Sequence, residues 1–157
     1  MARRLKISLG SDHAGFSLKE KVRDYLAFKG FDVTDQGTSG PESVDYPDYA
    51  EKVALSVVAK EADFGVVVCG TGIGVSIAAN KVPGIRAANC ADTISAHFAR
   101  AHNDANILAM GGRVTDEAAA RKIIDTWFDT PFEGGRHERR VRKIDQIDQR
   151  HHTEKKK

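Results

Sequence analysis

Short β-type apolar runs and amphipathic helical stretches alternate along almost the whole chain, and that alternation constrains the fold more than any other feature. The strand-like runs lie at 5–9, 31–35, 64–69, 85–90 and 105–110. Helical spacing fills the intervals at 17–29, 48–60, from the glycines at 70–74 through 81, at 93–101, and from 115 to 128. In the first helix Phe16, Val22, Tyr25, Leu26 and Phe28 are spaced for one face, and Gly30 suits its C-terminal flank. Pro47 suits the start of the second helix. Thr115 is placed to cap the last of these helices, with Asp116 and Glu117 in its first turn complementing the dipole. The run at 64–69 is continuously apolar, as a strand buried on both faces must be. Five strands alternating with helices imply a parallel sheet covered on both sides, a three-layer αβα sandwich with right-handed crossovers. The common order for five such strands is 2-1-3-4-5. In that order a crevice opens at the carboxyl ends of strands 1 and 3, lined by the loops at 10–15 and 70–74.

At 157 residues the chain has one domain's length, read here as 1–150. No apolar run approaches the ~20 residues of a membrane helix, so no membrane partner is expected. The basic start at 1–4 leads into a strand rather than a signal peptide. Two cysteines, Cys69 and Cys90, make no disulfide scaffold and point to a reducing cytoplasm. The net charge of +2 hides an asymmetry. Residues 136–157 carry nine Lys and Arg against four Asp and Glu, a net of +5, which leaves the remainder at −3. A mildly acidic body argues against nucleic-acid binding, where a broad basic face is expected. From Glu138 onward, Val141, Ile144 and Ile147 form a thin apolar seam that cannot hold a helix alone. That helix is expected to pack on the body or on a second subunit, and residues 151–157, without an apolar side chain, are expected to be a disordered basic tail.

The chemistry-bearing residues collect in loops. Gly70, Gly72 and Gly74 stand between a strand and a helix, where backbone N–H groups converge on an anion. Their spacing is neither the dinucleotide fingerprint nor a P-loop. Cys69 closes the strand just before them, a position that favours the thiolate, although a buried structural cysteine has equal claim. Cys90 is read as structural. Asp12 and His13 lie together in the first loop, suited to sugar hydroxyls or proton transfer, or else to a helix cap and an incidental imidazole. His102 and Asn103 precede the fifth strand, whereas His97 reads as surface or packing. Arg136 and Arg140 share a helical face, as two guanidiniums gripping a phosphate would, or as a solvated basic helix start would. No set of His, Cys and carboxylates has zinc-site spacing, so no metal is expected.

Taken together, these strings resemble the ribose-5-phosphate isomerase B family, in the wider group that includes galactose-6-phosphate isomerase. The matching stretches are Gly-Ser-Asp-His-Ala-Gly at 10–15, Asp-Tyr-Pro-Asp-Tyr-Ala at 45–50, Cys-Gly-Thr-Gly-Ile-Gly at 69–74, Ile-Ala-Ala-Asn-Lys at 77–81, Arg-Ala-His-Asn-Asp-Ala-Asn at 100–106 and Gly-Gly-Arg-His at 134–137. They span nearly the whole chain, in order. The resemblance implies a flavodoxin-like fold and cofactor-free, metal-free interconversion of an aldose phosphate and a ketose phosphate. It implies Cys69 as the base, since the Glu that other members place six positions later is Val75 here. It further implies that Gly70, Gly72 and Gly74 hold the enediolate oxygen, that Thr71 assists transfer between oxygens, and that His102 opens the sugar ring. Asp12, Tyr46 and Asn103 match substrate-contacting positions; His13, Arg113, Arg136 and Arg140 match the phosphate-binding set. Family members are homodimers or homotetramers with sites completed by two chains, and the C-terminal helix suits a bridging role. Two other readings are an isomerase of allose 6-phosphate or galactose 6-phosphate, and a non-enzymatic flavodoxin-like module binding nucleotide or RNA through its tail.

Overall fold

The computed structural model describes residues 2–152. In chain order the elements are β1 (Lys6–Ser11), α1 (Phe16–Phe28), β2 (Asp32–Asp35), α2 (Tyr46–Val58), β3 (Phe64–Cys69), α3 (Ile73–Ala79), β4 (Ala87–Asn89), α4 (Thr93–Asn103), β5 (Ile107–Gly111), α5 (Glu117–Asp129) and α6 (Arg136–His152). All strand pairs are parallel. The sheet order is β2-β1-β3-β5-β4, so the expected 2-1-3-4-5 is corrected at its last two places. Burial explains the exchange. Every residue of β5 is buried, whereas β4 has three residues and none of them is buried. A short, half-polar strand belongs at an edge, and a fully apolar one belongs inside.

This exchange decides where α4 goes. Right-handed crossovers put helices of rightward and leftward connections on opposite faces. Accordingly α2 packs on α3, while α5 packs on both α1 and α4. Strand β3 feeds both layers by simple alternation: Val66 and Val68 join the α1/α4/α5 core, Val67 and Cys69 the α2/α3 core. Each fully buried aliphatic side chain here contributes about 1.5–3 kcal/mol.

Local details differ from the sequence reading where tertiary contacts intervene. In α1, Leu18, Val22 and Leu26 are buried, but Phe28 is 85% exposed. Lys19 is almost fully buried, its Nζ 2.6 Å from Asp35 and set over the Phe16 ring. Asp116, not Thr115, caps α5, its carboxylate accepting from the Ala119 N–H at 2.8 Å. The free side of β4 is covered at Ala87 by side chains of the α3 C-terminal half, chiefly Asn80, with the Ser76 hydroxyl donating to the Ala87 carbonyl at 3.5 Å. Asn80 Oδ1 accepts from the Ala87 N–H at 2.7 Å and Nδ2 donates to the Ala87 carbonyl at 3.0 Å. Helix α6 buries only His137 and Val141 and leaves Ile144 and Ile147 40% and 50% exposed. It is held by the ion pair of Arg86 with Asp145 at 3.1 Å and by the Gly84 N–H donating to Asp148 at 2.9 Å. It continues through His152, two residues past the boundary drawn at 150; the rest of the expected tail, 153–157, lies outside the described residues. No helix among the described residues is long and apolar enough to cross a membrane.

Candidate active site

The carboxyl ends of β1, β3 and β5 bring the first group of site residues together. Loop 10–15 folds directly onto the end of β3: the Asp12 N–H donates to the Val68 carbonyl at 3.3 Å, and a Cβ on Gly15 would lie 2.5 Å from that same oxygen. Asp12 is buried, and its Oδ1 accepts from the Gly15 N–H at 2.9 Å. His13 Nδ1 accepts from the Val44 N–H at 3.2 Å. That bond makes Nδ1 the acceptor and Nε2 the ring nitrogen left to donate.

Cys69 is 5% exposed at the tip of β3. The chain then turns sharply at Gly72, with φ at +80°, and aims the Gly72 N–H at Cys69 Sγ, 3.2 Å away. Thr71 is exposed, its Oγ1 accepting from the Ile73 N–H at 3.3 Å. The walls of this nest approach the glycines closely. A Cβ on Gly74 would lie 2.7 Å from Tyr46 Cζ, and one on Gly70 would lie 3.2 Å from an Arg113 guanidinium nitrogen. Arg113 is placed there by the end of β5, its N–H donating to the Gly70 carbonyl at 2.9 Å. A thiol, a ring of backbone donors, a carboxylate, an imidazole, a phenol and a guanidinium thus share one mouth. The crevice expected between strands 1 and 3 is where they meet.

The second group lies at the other end of the sheet. Helix α4 runs back from the β4 tip and finishes beside the amino end of β5, where the Asn106 carbonyl accepts from the Gly65 N–H. His102 and Asn103 are therefore separated from Cys69 by the length of β3, about 16 Å at the usual strand rise. The first turn of α6 joins them. His102 and His137 stack with ring centroids 4.0 Å apart and planes at 9°. Glu133 Oε2 reaches His102 Nε2 at 3.7 Å and His137 Nε2 at 3.5 Å. Arg136 and Arg140 are exposed beside this stack. His137 is pushed below the ordinary imidazole range by partial burial, then by the neighbouring His102 and Arg136. Arg86 braces the corner, donating to the carbonyls of Asn103 and Asp104 at 3.0–3.2 Å.

One chain therefore does not bring all the expected residues together. Asp12, His13, Tyr46, Cys69 to Gly74 and Arg113 form one cluster; His102, Asn103, Arg136 and Arg140 form another. The spacing along the chain gave no metal pattern, yet the fold brings His102, Glu133 and His137 within 4.8 Å of one another. Glu133 and His137 were not among the expected site residues, and only a contact between α4 and the α5–α6 connection relates them to His102. Cys90 matches its structural reading: 1% exposed, with burial pushing its thiol up to about 11 against a lowering hydrogen bond from Ser95. His97 likewise packs, against Phe98 and the Thr130 hydroxyl. A cavity of about 580 Å³ lies at the amino end of the sheet, but its Arg3, Arg86 and Arg100 are already paired with Asp63 and Asp104.

A family described as Ribose/Galactose Isomerase matches residues 7–144. The chain belongs to this family. Ribose-5-phosphate isomerase B of Escherichia coli is 49% identical over 145 residues, covering 92% of this chain and 97% of its own. The Clostridium thermocellum ribose-5-phosphate isomerase B structure superposes with a TM-score of 0.92 at 54% identity, covering 93% of this chain and 99% of that one. The isomerase B of Mycoplasma genitalium, solved with bound ribulose-5-phosphate, gives 0.88 at 40% identity, covering 92% and 96%. The isomerase family thus accounts for most of the described chain, from β1 through the tight glycine nest to the first half of α6.

Proposed function

We propose that the chain interconverts ribose 5-phosphate and ribulose 5-phosphate through a cis-enediolate, with Cys69 as the base. The supporting observation is Cys69 at the mouth of a glycine nest in a chain so similar to ribose-5-phosphate isomerases B. The thiolate takes the proton from C2 of the open-chain aldose. The electron pair moves into the C1–C2 bond and onto O1, where backbone N–H groups of Gly70, Gly72 and Gly74 and the Thr71 hydroxyl face the growing charge. Proton exchange between O1 and O2 then lets the carbonyl form at C2, and Cys69 returns its proton to C1. His102 opens the furanose ring first. Asp12, Tyr46 and Asn103 hold sugar hydroxyls, while His13, Arg113, Arg136 and Arg140 hold the phosphate. No cofactor enters this sequence.

The length of β3, about 16 Å, that separates the two clusters exceeds the length of a five-carbon sugar phosphate. The site is therefore completed by a second copy of the chain, which offers its His102, Asn103, Arg136 and Arg140 to the first copy's Cys69. Ile73, Ile77, Ile94 and Phe98 are 45–69% exposed on the helices flanking β4 and suit such a contact. Two free buried cysteines suit a reducing cytoplasm.

Mixing tests both halves of the proposal. Cys69→Ala and His102→Asn chains, each inactive alone, are co-refolded and assayed with ribose 5-phosphate in EDTA. A two-fold dimer with shared sites recovers about one quarter of wild-type activity, because half the dimers are mixed and each carries one intact site. No recovery, with each variant folded, refutes the shared site. The family description names galactose, a hexose, beside ribose. A higher kcat/KM on allose 6-phosphate or galactose 6-phosphate would transfer the same mechanism to a longer substrate.

A further inference from the structure

We propose that His102, Glu133 and His137 form a zinc-binding site whose occupation switches the enzyme off. The set is two imidazoles and a carboxylate, the ligand combination of three-coordinate protein zinc sites that keep a fourth position open. Tetrahedral bonds of about 2.0–2.2 Å place neighbouring ligand atoms roughly 3.3–3.5 Å apart. Glu133 Oε2 already lies 3.5 Å from His137 Nε2 and 3.7 Å from His102 Nε2. All three ligand atoms fall within 4.8 Å of one another. The two edges at Glu133 need a contraction of at most a few tenths of an ångström, and the edge between the imidazoles, which lies within 4.8 Å, closes by up to about 1.4 Å. The parallel ring stack must also open so that both lone pairs converge, a rotation about the soft second side-chain torsion.

The positive field of Arg136 and Arg140 opposes a divalent ion, while Glu133 offsets part of it and leaves room for a hydroxide or phosphate in the fourth position. Access is provided by His102 and Glu133, whose side chains are 32% and 51% exposed. The binding step stands on this geometry alone. The inhibition rests on the reading of His102 as the ring-opening group, since a metal bound at Nε2 removes the lone pair that would move the proton.

The test is calorimetric titration of zinc chloride into the chelator-stripped full chain carrying Cys69→Ser, which removes the one competing thiol of the nest. The expected result is one zinc per chain, retained when His151 and His152 are both changed to Ala. Glu133→Gln and His137→Asn should each weaken binding by at least about 100-fold, because loss of an outer-shell partner alone costs 10–100-fold. Glu133 is exposed, so its variant does not depend on core packing. Zinc affinity unchanged in both variants overturns the site. In the second arm zinc is added to the wild type turning over ribose 5-phosphate, and inhibition reversed by EDTA and lost in Glu133→Gln supports the switch. Binding without inhibition keeps the site and overturns both the switch and the ring-opening role of His102. Inhibition that persists in Glu133→Gln assigns the effect to Cys69 and overturns the proposal.

Discussion

Gly72 is the position where backbone conformation and candidate chemistry are most tightly coupled, and Gly72→Ala tests that coupling. Its φ of +80° alone costs an alanine about 1–2 kcal/mol. The added methyl would also lie 2.9 Å from the Met110 backbone carbon and 3.0 Å from Asn89 Cγ. The backbone of β5 cannot yield cheaply, so overpacking adds about 1–3 kcal/mol. Displacing Asn89 breaks its 3.3 Å bond to the Thr71 carbonyl, worth about 1 kcal/mol. The sum is roughly 3–6 kcal/mol, which for a chain of this size lowers Tm by about 6–24 °C. Gly30→Ala is the control. Gly30 has φ at +90° but nothing within 4 Å of its Cβ position, so only the conformational cost of about 1–2 kcal/mol applies. Urea unfolding of the two variants measures the difference directly. Turnover should separate them further, because only Gly72 directs its N–H at Cys69 Sγ. Equal unfolding midpoints for the two variants, or unaltered turnover in Gly72→Ala, would refute the reasoning.

Three further outcomes are expected. Cys69→Ala should lower kcat by at least about 100-fold while calorimetry finds ribose 5-phosphate bound as in the wild type, and an unchanged kcat would remove Cys69 as the base. Arg86→Ala removes bonds to two α4-end carbonyls and the ion pair to Asp145. It should cost about 2–4 kcal/mol and raise hydrogen exchange across α6; unaltered exchange there would mean that α6 is held otherwise. Cys90, with its folded thiol raised to about 11, stabilises fully below the unfolded value of about 8.5. That contribution is lost as pH rises from there through about 11, so the wild type should lose more Tm over that window than Cys90→Ala. Parallel Tm curves would show that Cys90 ionises as freely in the fold as out of it.

Much of the architecture could be read from the residues because the information is local. The continuous apolar run of β3, the glycines after it and the Asp-His pair after β1 each declare a strand end facing a loop, and the sheet delivers those loops to one mouth. The exchange of β4 and β5 was legible too: Ala87, Ala88 and Asn89 make a poor interior strand beside the wholly apolar Ile107 to Gly111. A general preference for sequential order overrode that signal. The burial of Lys19 was not legible, since it depends on Asp35 arriving from the next strand. Nor was the His102–Glu133–His137 cluster, since His102 is more than thirty residues from the other two and meets them only where α4 contacts the α5–α6 connection and the start of α6.

Asn80 has a consequence for how copies of this chain can meet. By accepting from and donating to Ala87, its amide imitates one residue of a sixth strand. The exposed ladder edge, the ordinary invitation to sheet propagation and fibril growth, is thereby occupied from within. On the β4 side of the sheet, association is thereby left to side chains of the flanking helices, which admit a closed, counted assembly. Asn80→Ala would reopen the edge, turning a protein that stops at its own boundary into one that can recruit the next.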